Sequence, residues 1–233
     1  MGDDGWPMRA DDPDPIGNAL HLRDVYVRAD PSYTGRVSVP VLWDRERNTI
    51  VNNESREIMR MLDVDFAALS RAPLVATLAP PELRGEIDRV LDLIYMPINN
   101  GVYRCGFART QSAYETAVVE LFAALDHWER VLTAQPYLCG NHMTEADIAM
   151  FTTLLRFDLV YYSHFKCNVR RLRDYPALWA FTRRMYQHPG IRPTCFLDDI
   201  KTHYYWSQDN VNPSRIVPVG PADYAVALDE PVS

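Results

Sequence analysis

The sequence predicts an α+β fold, a small α/β unit followed by an all-helical remainder. Two short apolar runs, Val37–Trp43 and Thr49–Val51, flank the polar stretch DRERN and read as a hairpin. Beyond them, apolar residues recur at helical spacing: Ile87, Val90, Leu91 and Ile94, then Val118, Leu121, Leu125, Trp128 and Leu132. Between the two patterns, Pro73, Pro80 and Pro81 mark a loop.

Residues 1–18, rich in Asp, Pro and Gly, read as irregular. A short helix is expected over Leu20–Ala29, ending at the turn Asp30-Pro31, and after the hairpin a second over Glu54–Leu62. The stretch MTEAD opens a helix: Thr144 caps it, and Asp147, three residues on, can return a hydrogen bond to the cap's backbone N–H. Met143 and Ile148 then form a hydrophobic staple. Further helices are expected over Asp174–Gln187 and Thr194–Ser207. The tail Asn212–Pro221 carries three prolines and reads as extended. The expected division is 1–65 for the α/β unit and 66–233 for the helical domain.

The 233 residues include 24 basic and 31 acidic side chains, a net charge of −7. That balance argues against a nucleic-acid partner, which would need clustered positive charge. No apolar run approaches the roughly 20 residues of a spanning helix, so no membrane role is expected. The opening residues MGDDGWPMRADDPDP fit neither a secretory signal nor a transit peptide. The four cysteines, Cys105, Cys139, Cys167 and Cys195, show neither metal-like nor disulfide-like spacing. Reduced thiols, a cytoplasmic location and no metal are the expectation.

Chemistry concentrates in SVPVLWDRERNTIVNNES. Val39-Pro40, at the head of an apolar segment, is placed to be a cis X-Pro bond. In a thioredoxin-like glutathione site, which this stretch resembles, main-chain groups beside such a bond pair with the tripeptide in the manner of an added strand. Glu54 and Ser55, at a helix start, suit an amino-acid end group: the hydroxyl and free N–H groups take a carboxylate, and the acid takes an ammonium. Taken alone, Glu-Ser reads as an ordinary capped helix.

The rest of the chain narrows the reading. GRVSVPVLWDRERNTIVNNES, NNGVYRCGFARTQ, MTEAD, RFDLVYYSHFKCN and IKTHYY, in this order, resemble the glutathionyl-hydroquinone reductases. These are xi-class, omega-like relatives of the glutathione transferases. The resemblance runs from Gly5-Trp6 to about Pro221. It implies a partial thioredoxin-like unit, with two strands and flanking helices, followed by the all-α glutathione-transferase C-terminal domain. It also implies glutathione as cosubstrate and glutathionyl-hydroquinones as substrates, reduced to hydroquinones. A homodimer is compatible with it.

By the same resemblance, Trp6 packs on glutathione, and Arg36, Val37, Ser38 and Val39 form the segment that pairs with it. Ser38 stands where threonine is common. Glu54 and Ser55 anchor the γ-glutamyl end. Tyr103 is the proton donor and acceptor for the quinol oxygen, and Tyr161 and Tyr204 line the same pocket. Phenols suit the task because they donate to a quinol oxygen at neutral pH without carrying charge. Any one tyrosine of the 13 could equally be a half-buried packing residue.

The family's nucleophile is a cysteine in a Cys-Pro-Trp motif at a helix start, and no Cys-Pro occurs here. The first strand, first helix and second strand of the family are expected in the portion this chain lacks, so its thiol chemistry is expected to be absent or weak. The alternative is a non-catalytic module that binds glutathione or a quinol, or holds a protein partner. Cys105, two residues from Tyr103 and beside Arg104, is the candidate replacement nucleophile, though no helix N-terminus is predicted there. Cys167 reads as structural, and with His164 it would supply two metal ligands at most.

Overall fold

A computed structural model describes residues 6–70 and 76–232 of the chain. The chain divides into two units, Met1–Val75 and Ala76–Ser233. Pro73 lies outside the described residues.

In the first unit, α1 (Leu22–Ala29) turns Leu22, Val25 and Tyr26 inward. The loop before it is folded around Asp14, whose carboxylate accepts the N–H groups of Ile16, Gly17 and Ala19 at 2.9, 3.0 and 2.9 Å. The strands β1 (Leu42–Asp44) and β2 (Thr49–Asn52) pair antiparallel, Trp43 opposite Ile50. Asp44 closes the hairpin by accepting the N–H groups of Glu46 and Arg47, both at 2.9 Å, and Asn48 takes the left-handed backbone that ends the turn. Helix α2 (Ser55–Arg60) runs on into a π-helical turn, Met61–Asp65.

The first strand is shorter than the sequence predicts. Residues 37–41 lie outside the ladder, because no strand among the described residues pairs with them. Ser38 instead gives its main-chain groups to the Tyr26 hydroxyl.

The second unit is helical. α3 (Arg84–Ile94) and α5 (Gln111–Ala134) bury the faces that the spacing marks: Ile87, Val90, Leu91 and Ile94 on one, Val118, Leu121, Leu125, Trp128 and Leu132 on the other. Between them lie a π-helical turn, Tyr95–Asn99, and α4 (Gly101–Gly106). α6 (Glu145–Arg156) continues into a third π-helical turn, Phe157–Tyr161. α7 (Pro176–Gln187) is capped from a distance by the Glu129 carboxylate, which accepts the N–H groups of Ala177 and Leu178 at 2.8 Å each.

α8 (Leu197–Ser207) precedes the irregular tail. The tail is held by Lys201, whose Nζ donates to the carbonyls of Val219 and Gly220 at 3.0 and 3.1 Å. The sequence predicts no helix after it, yet Tyr224–Leu228 form α9, pinned by the Tyr224 hydroxyl on the Leu155 carbonyl at 3.0 Å. Among the described residues no helix is long and apolar enough to cross a membrane.

Asp147 carries the start of α6. Its buried carboxylate accepts the Thr144 N–H at 2.7 Å and hydroxyl at 2.9 Å, and the Leu138 N–H at 2.8 Å. Asp147→Ala would leave two buried backbone donors unpaired, at a cost of roughly 1–3 kcal/mol each. Chemical denaturation should show a clear drop in the midpoint of the helical unit, and an unchanged midpoint would mean that water replaces the carboxylate.

Candidate functional site

Two groups of residues carry the candidate chemistry, one in each unit. In the first unit Val39-Pro40 is cis. The Tyr26 hydroxyl donates to the Ser38 carbonyl at 2.7 Å and accepts the Ser38 N–H at 3.2 Å. Asn53 Nδ2 donates to that same hydroxyl at 3.1 Å and to Ser38 Oγ at 3.2 Å. Arg36 is fixed through its carbonyl, which accepts the Tyr33 hydroxyl at 2.7 Å. Val37 is half-buried, whereas Val39 is 60% exposed. No hydrogen bond is made by the Val39 N–H or C=O among the described residues.

Glu54 and Ser55 are exposed at the start of α2, with the Glu54 N–H donated to Asn52 Oδ1 at 2.7 Å. Trp6 is tied to the start of α1, its carbonyl accepting the Leu22 N–H at 2.9 Å. Asn53 thus brings the 36–39 segment and the 54–55 turn together. Neither Tyr26 nor Asn53 is a candidate on sequence grounds. Asn53 stands within SVPVLWDRERNTIVNNES, beside Glu54, while Tyr26 reads as one more residue on the buried face of α1.

In the second unit Tyr103 on α4, Tyr161 at the end of its π-helical turn and Tyr204 on α8 meet through their hydroxyls. Tyr204 Oη stands 2.5 Å from that of Tyr103 and 2.9 Å from that of Tyr161. Phe165 fills the space among the rings, 5.4 Å from the centroids of both Tyr103 and Tyr161 and 5.9 Å from that of Tyr204. Gly106 lets that ring in, since a Cβ there would collide with Phe165 Cδ1.

Three phenols carry three protons, and two hydrogen bonds use two of them. Tyr161 is 2% exposed and Tyr204 6%, so a proton turned away from either would be buried without an acceptor. The order that avoids this runs Tyr161 to Tyr204 to Tyr103, leaving half-buried Tyr103 with the free proton. Burial, with Tyr103 and Tyr204 beside it, holds the Tyr161 phenol well above its ordinary range. Burial and the neighbouring Tyr103 raise Tyr204 as well.

Cys105 lies in the last turn of α4, the end of a helix that disfavours a thiolate. A hydrogen bond from Cys167 pulls its pKa down, and Arg104 helps, but the thiol is 2% exposed and Arg104 is already paired with Glu120 at 2.5 Å. Cys167 is pushed up by the same contact and by burial. His164 Nε2 is engaged with Gln208 Oε1 at 2.9 Å. Among the described residues no group of three or more His, Cys, Asp and Glu stands together as a metal site.

The family model for the glutathione S-transferase C-terminal domain matches residues 111–184. The glutathionyl-hydroquinone reductase PcpF of Sphingobium chlorophenolicum is 48% identical over 225 residues, covering 95% of this chain and 71% of PcpF. The chain belongs to the glutathionyl-hydroquinone reductases of the xi-class glutathione transferases. A xi-class glutathione transferase from Natrialba magadii superposes on this family member with a TM-score of 0.95 at 48% identity, over 100% of the present chain and 71% of its own. The glutathione-bound transferase homologue YqjG of Escherichia coli K-12 does so with a TM-score of 0.92 at 44% identity, over 99% and 74%.

The raised phenols give stability a pH dependence of known sign. In the unfolded chain tyrosine releases its proton near pH 10, while folded Tyr161 and Tyr204 hold theirs beyond it. The folded state therefore binds more protons above about pH 10, and stability present below that point is lost as pH rises. Urea unfolding measured across about pH 8–11 should show a falling midpoint, with a shallower fall in Tyr204→Phe. Equal slopes would mean that the cluster ionises like free tyrosine.

Proposed function

We propose that the protein serves the glutathione-dependent reduction of glutathionyl-hydroquinones to hydroquinones. In that reaction the carbon–sulfur bond of the conjugate breaks and the ring carbon takes a proton. The two glutathione sulfurs leave joined as a disulfide. The observation that carries the reading is the convergence of Tyr103, Tyr161 and Tyr204 on one oxygen, with a surplus proton at Tyr103. Tyr103 gives and takes the proton at the quinol oxygen, and Tyr161 and Tyr204 hold it in line. Trp6, Arg36, Val37, Ser38, Val39, Glu54 and Ser55 take the glutathione moiety. The kinship with a reductase named for this reaction and with a glutathione-bound homologue supports both halves.

The reacting thiol is the part these 233 residues do not supply. They hold no Cys-Pro, and Cys105 is buried at the wrong end of its helix. The reading for this chain as it stands is recognition of glutathione and quinol with weak thiol chemistry. That same observation favours the second reading, a non-catalytic glutathione- or quinol-binding module.

Purified chain, given a glutathionyl-hydroquinone and glutathione, should not exceed the rate with glutathione alone. Turnover that disappears in Cys105→Ala would move the nucleophile into this chain. By calorimetry the chain should bind glutathione, and Ser55→Ala should weaken that binding roughly ten- to hundredfold, the weight of one charge-assisted hydrogen bond. Equal binding by both proteins would remove Ser55 from the anchor.

A further inference from the structure

We propose that Tyr26 is a positioning residue for glutathione, its hydroxyl fixing the 36–39 segment against the 53–55 turn so that one tripeptide meets both. The inference rests on the glutathione reading above, and goes beyond it to a residue that touches no ligand. A phenol hydroxyl offers one proton and two acceptor sites, and here all three are used. The proton goes to the Ser38 carbonyl, and the acceptor sites take the Ser38 N–H and the Asn53 amide. The Asn53 amide nitrogen also donates to Ser38 Oγ, closing a small network around one oxygen atom.

The network acts on the ligand in two ways. First, Tyr26 consumes both main-chain groups of Ser38, so these are not free to pair with a ligand and the segment is held in place at that residue. Val39 is left with its pair unused beside Pro40, which has no N–H of its own. Val39, like Val37 on the other side of Ser38, is thus available to pair with a peptide's main chain, and Ser38 is the support between them. Second, Asn53 directly precedes Glu54 and Ser55, so the same oxygen sets the reach from the main-chain contact to the γ-glutamyl anchor.

The ring and the hydroxyl of Tyr26 have separate tasks. The ring is buried on the inner face of α1 and lies 5.0 Å from that of Tyr33. Among the described residues the hydroxyl's hydrogen-bond partners are Ser38 and Asn53. Tyr26→Phe keeps the first and removes the second.

The test compares wild type, Tyr26→Phe and Asn53→Ala for binding of glutathione and of free L-glutamate, which can reach only the 54–55 turn. Calorimetry or ligand-observed NMR reads the affinities, and thermal unfolding reads the fold. Tyr26→Phe should weaken glutathione by roughly tenfold, the weight of one or two ordinary hydrogen bonds, and leave glutamate binding unchanged. Asn53→Ala should act in the same direction, and the double variant should lose less than the sum, because both changes break one network. Glutathione binding equal in wild type and Tyr26→Phe overturns the inference. So does an equal loss of glutathione and glutamate, which marks a general loosening of the unit. If Tyr26→Phe does not fold, unchanged glutathione binding by Asn53→Ala overturns it instead. Failure of the wild-type chain to bind glutathione at all sinks the glutathione reading itself, a result distinct from the others.

Discussion

The Tyr204 hydroxyl lies between those of Tyr103 and Tyr161, and much of the helical unit is arranged to let it do so. A buried hydroxyl needs a partner, and three phenols from separate elements can be buried together only if they satisfy one another. α4 brings Tyr103, the π-helical turn at the end of α6 brings Tyr161, and α8 brings Tyr204. Asn99 ties these frames together. It sits at the end of the second π-helical turn, just before α4, and its Nδ2 donates to the Ala149 carbonyl and the Thr153 hydroxyl of α6 at 2.8 Å each. Both π-helical turns of this unit thus lie next to the phenols. An extra residue in a helical turn rotates the next stretch of helix about its axis, which is how such turns aim side chains at a site.

The first unit solves the opposite problem. On the glutathione reading, the groups that matter there are main-chain donors and acceptors left unpaired, which is costly unless water or a ligand reaches them. Tyr26 and Asn53 engage Ser38, while among the described residues the main-chain groups of Val37 and Val39 on either side make no hydrogen bond, and the Val39 side chain is 60% exposed. Order at Ser38 and openness on either side of it go together in this segment.

This contrast between local and long-range contacts decides how much the sequence reveals. The faces of α3 and α5 can be read because each buries a stripe at helical spacing, and the start of α6 because Thr144 and Asp147 make a local, recognisable pair. The α+β order is legible for similar local reasons, whereas the cis bond at Val39-Pro40 is legible through the likeness to a thioredoxin-like glutathione site. The phenol cluster is not legible from spacing. Tyr103 and Tyr204 are 101 positions apart, and only the resemblance of whole motifs joins them. The π-helical turns leave too few residues for a period to show. Val37–Val41 read as strand because the segment is apolar, yet ladder hydrogen bonds come from a neighbour, and Tyr26 takes that place for Ser38. Tyr26 itself is hidden by its ring, which makes it look like core. α9 is hidden by its five-residue length.

Stability does not account for the phenols. Replacing a buried hydrogen-bonded pair by apolar groups of the same shape is often nearly neutral, so a cluster of phenylalanines around Phe165 would pack about as well. What phenylalanines could not do is present a proton. The three hydroxyls leave one proton over, and burial of Tyr161 and Tyr204 keeps those two uncharged well past neutral pH. A phenolate at either position would face a second phenol oxygen in a site with little water, a poor place for charge. The arrangement therefore favours a neutral chain of donors that ends at half-buried Tyr103, where an acceptor oxygen can reach it. On the function proposed above, the quinol oxygen is that acceptor.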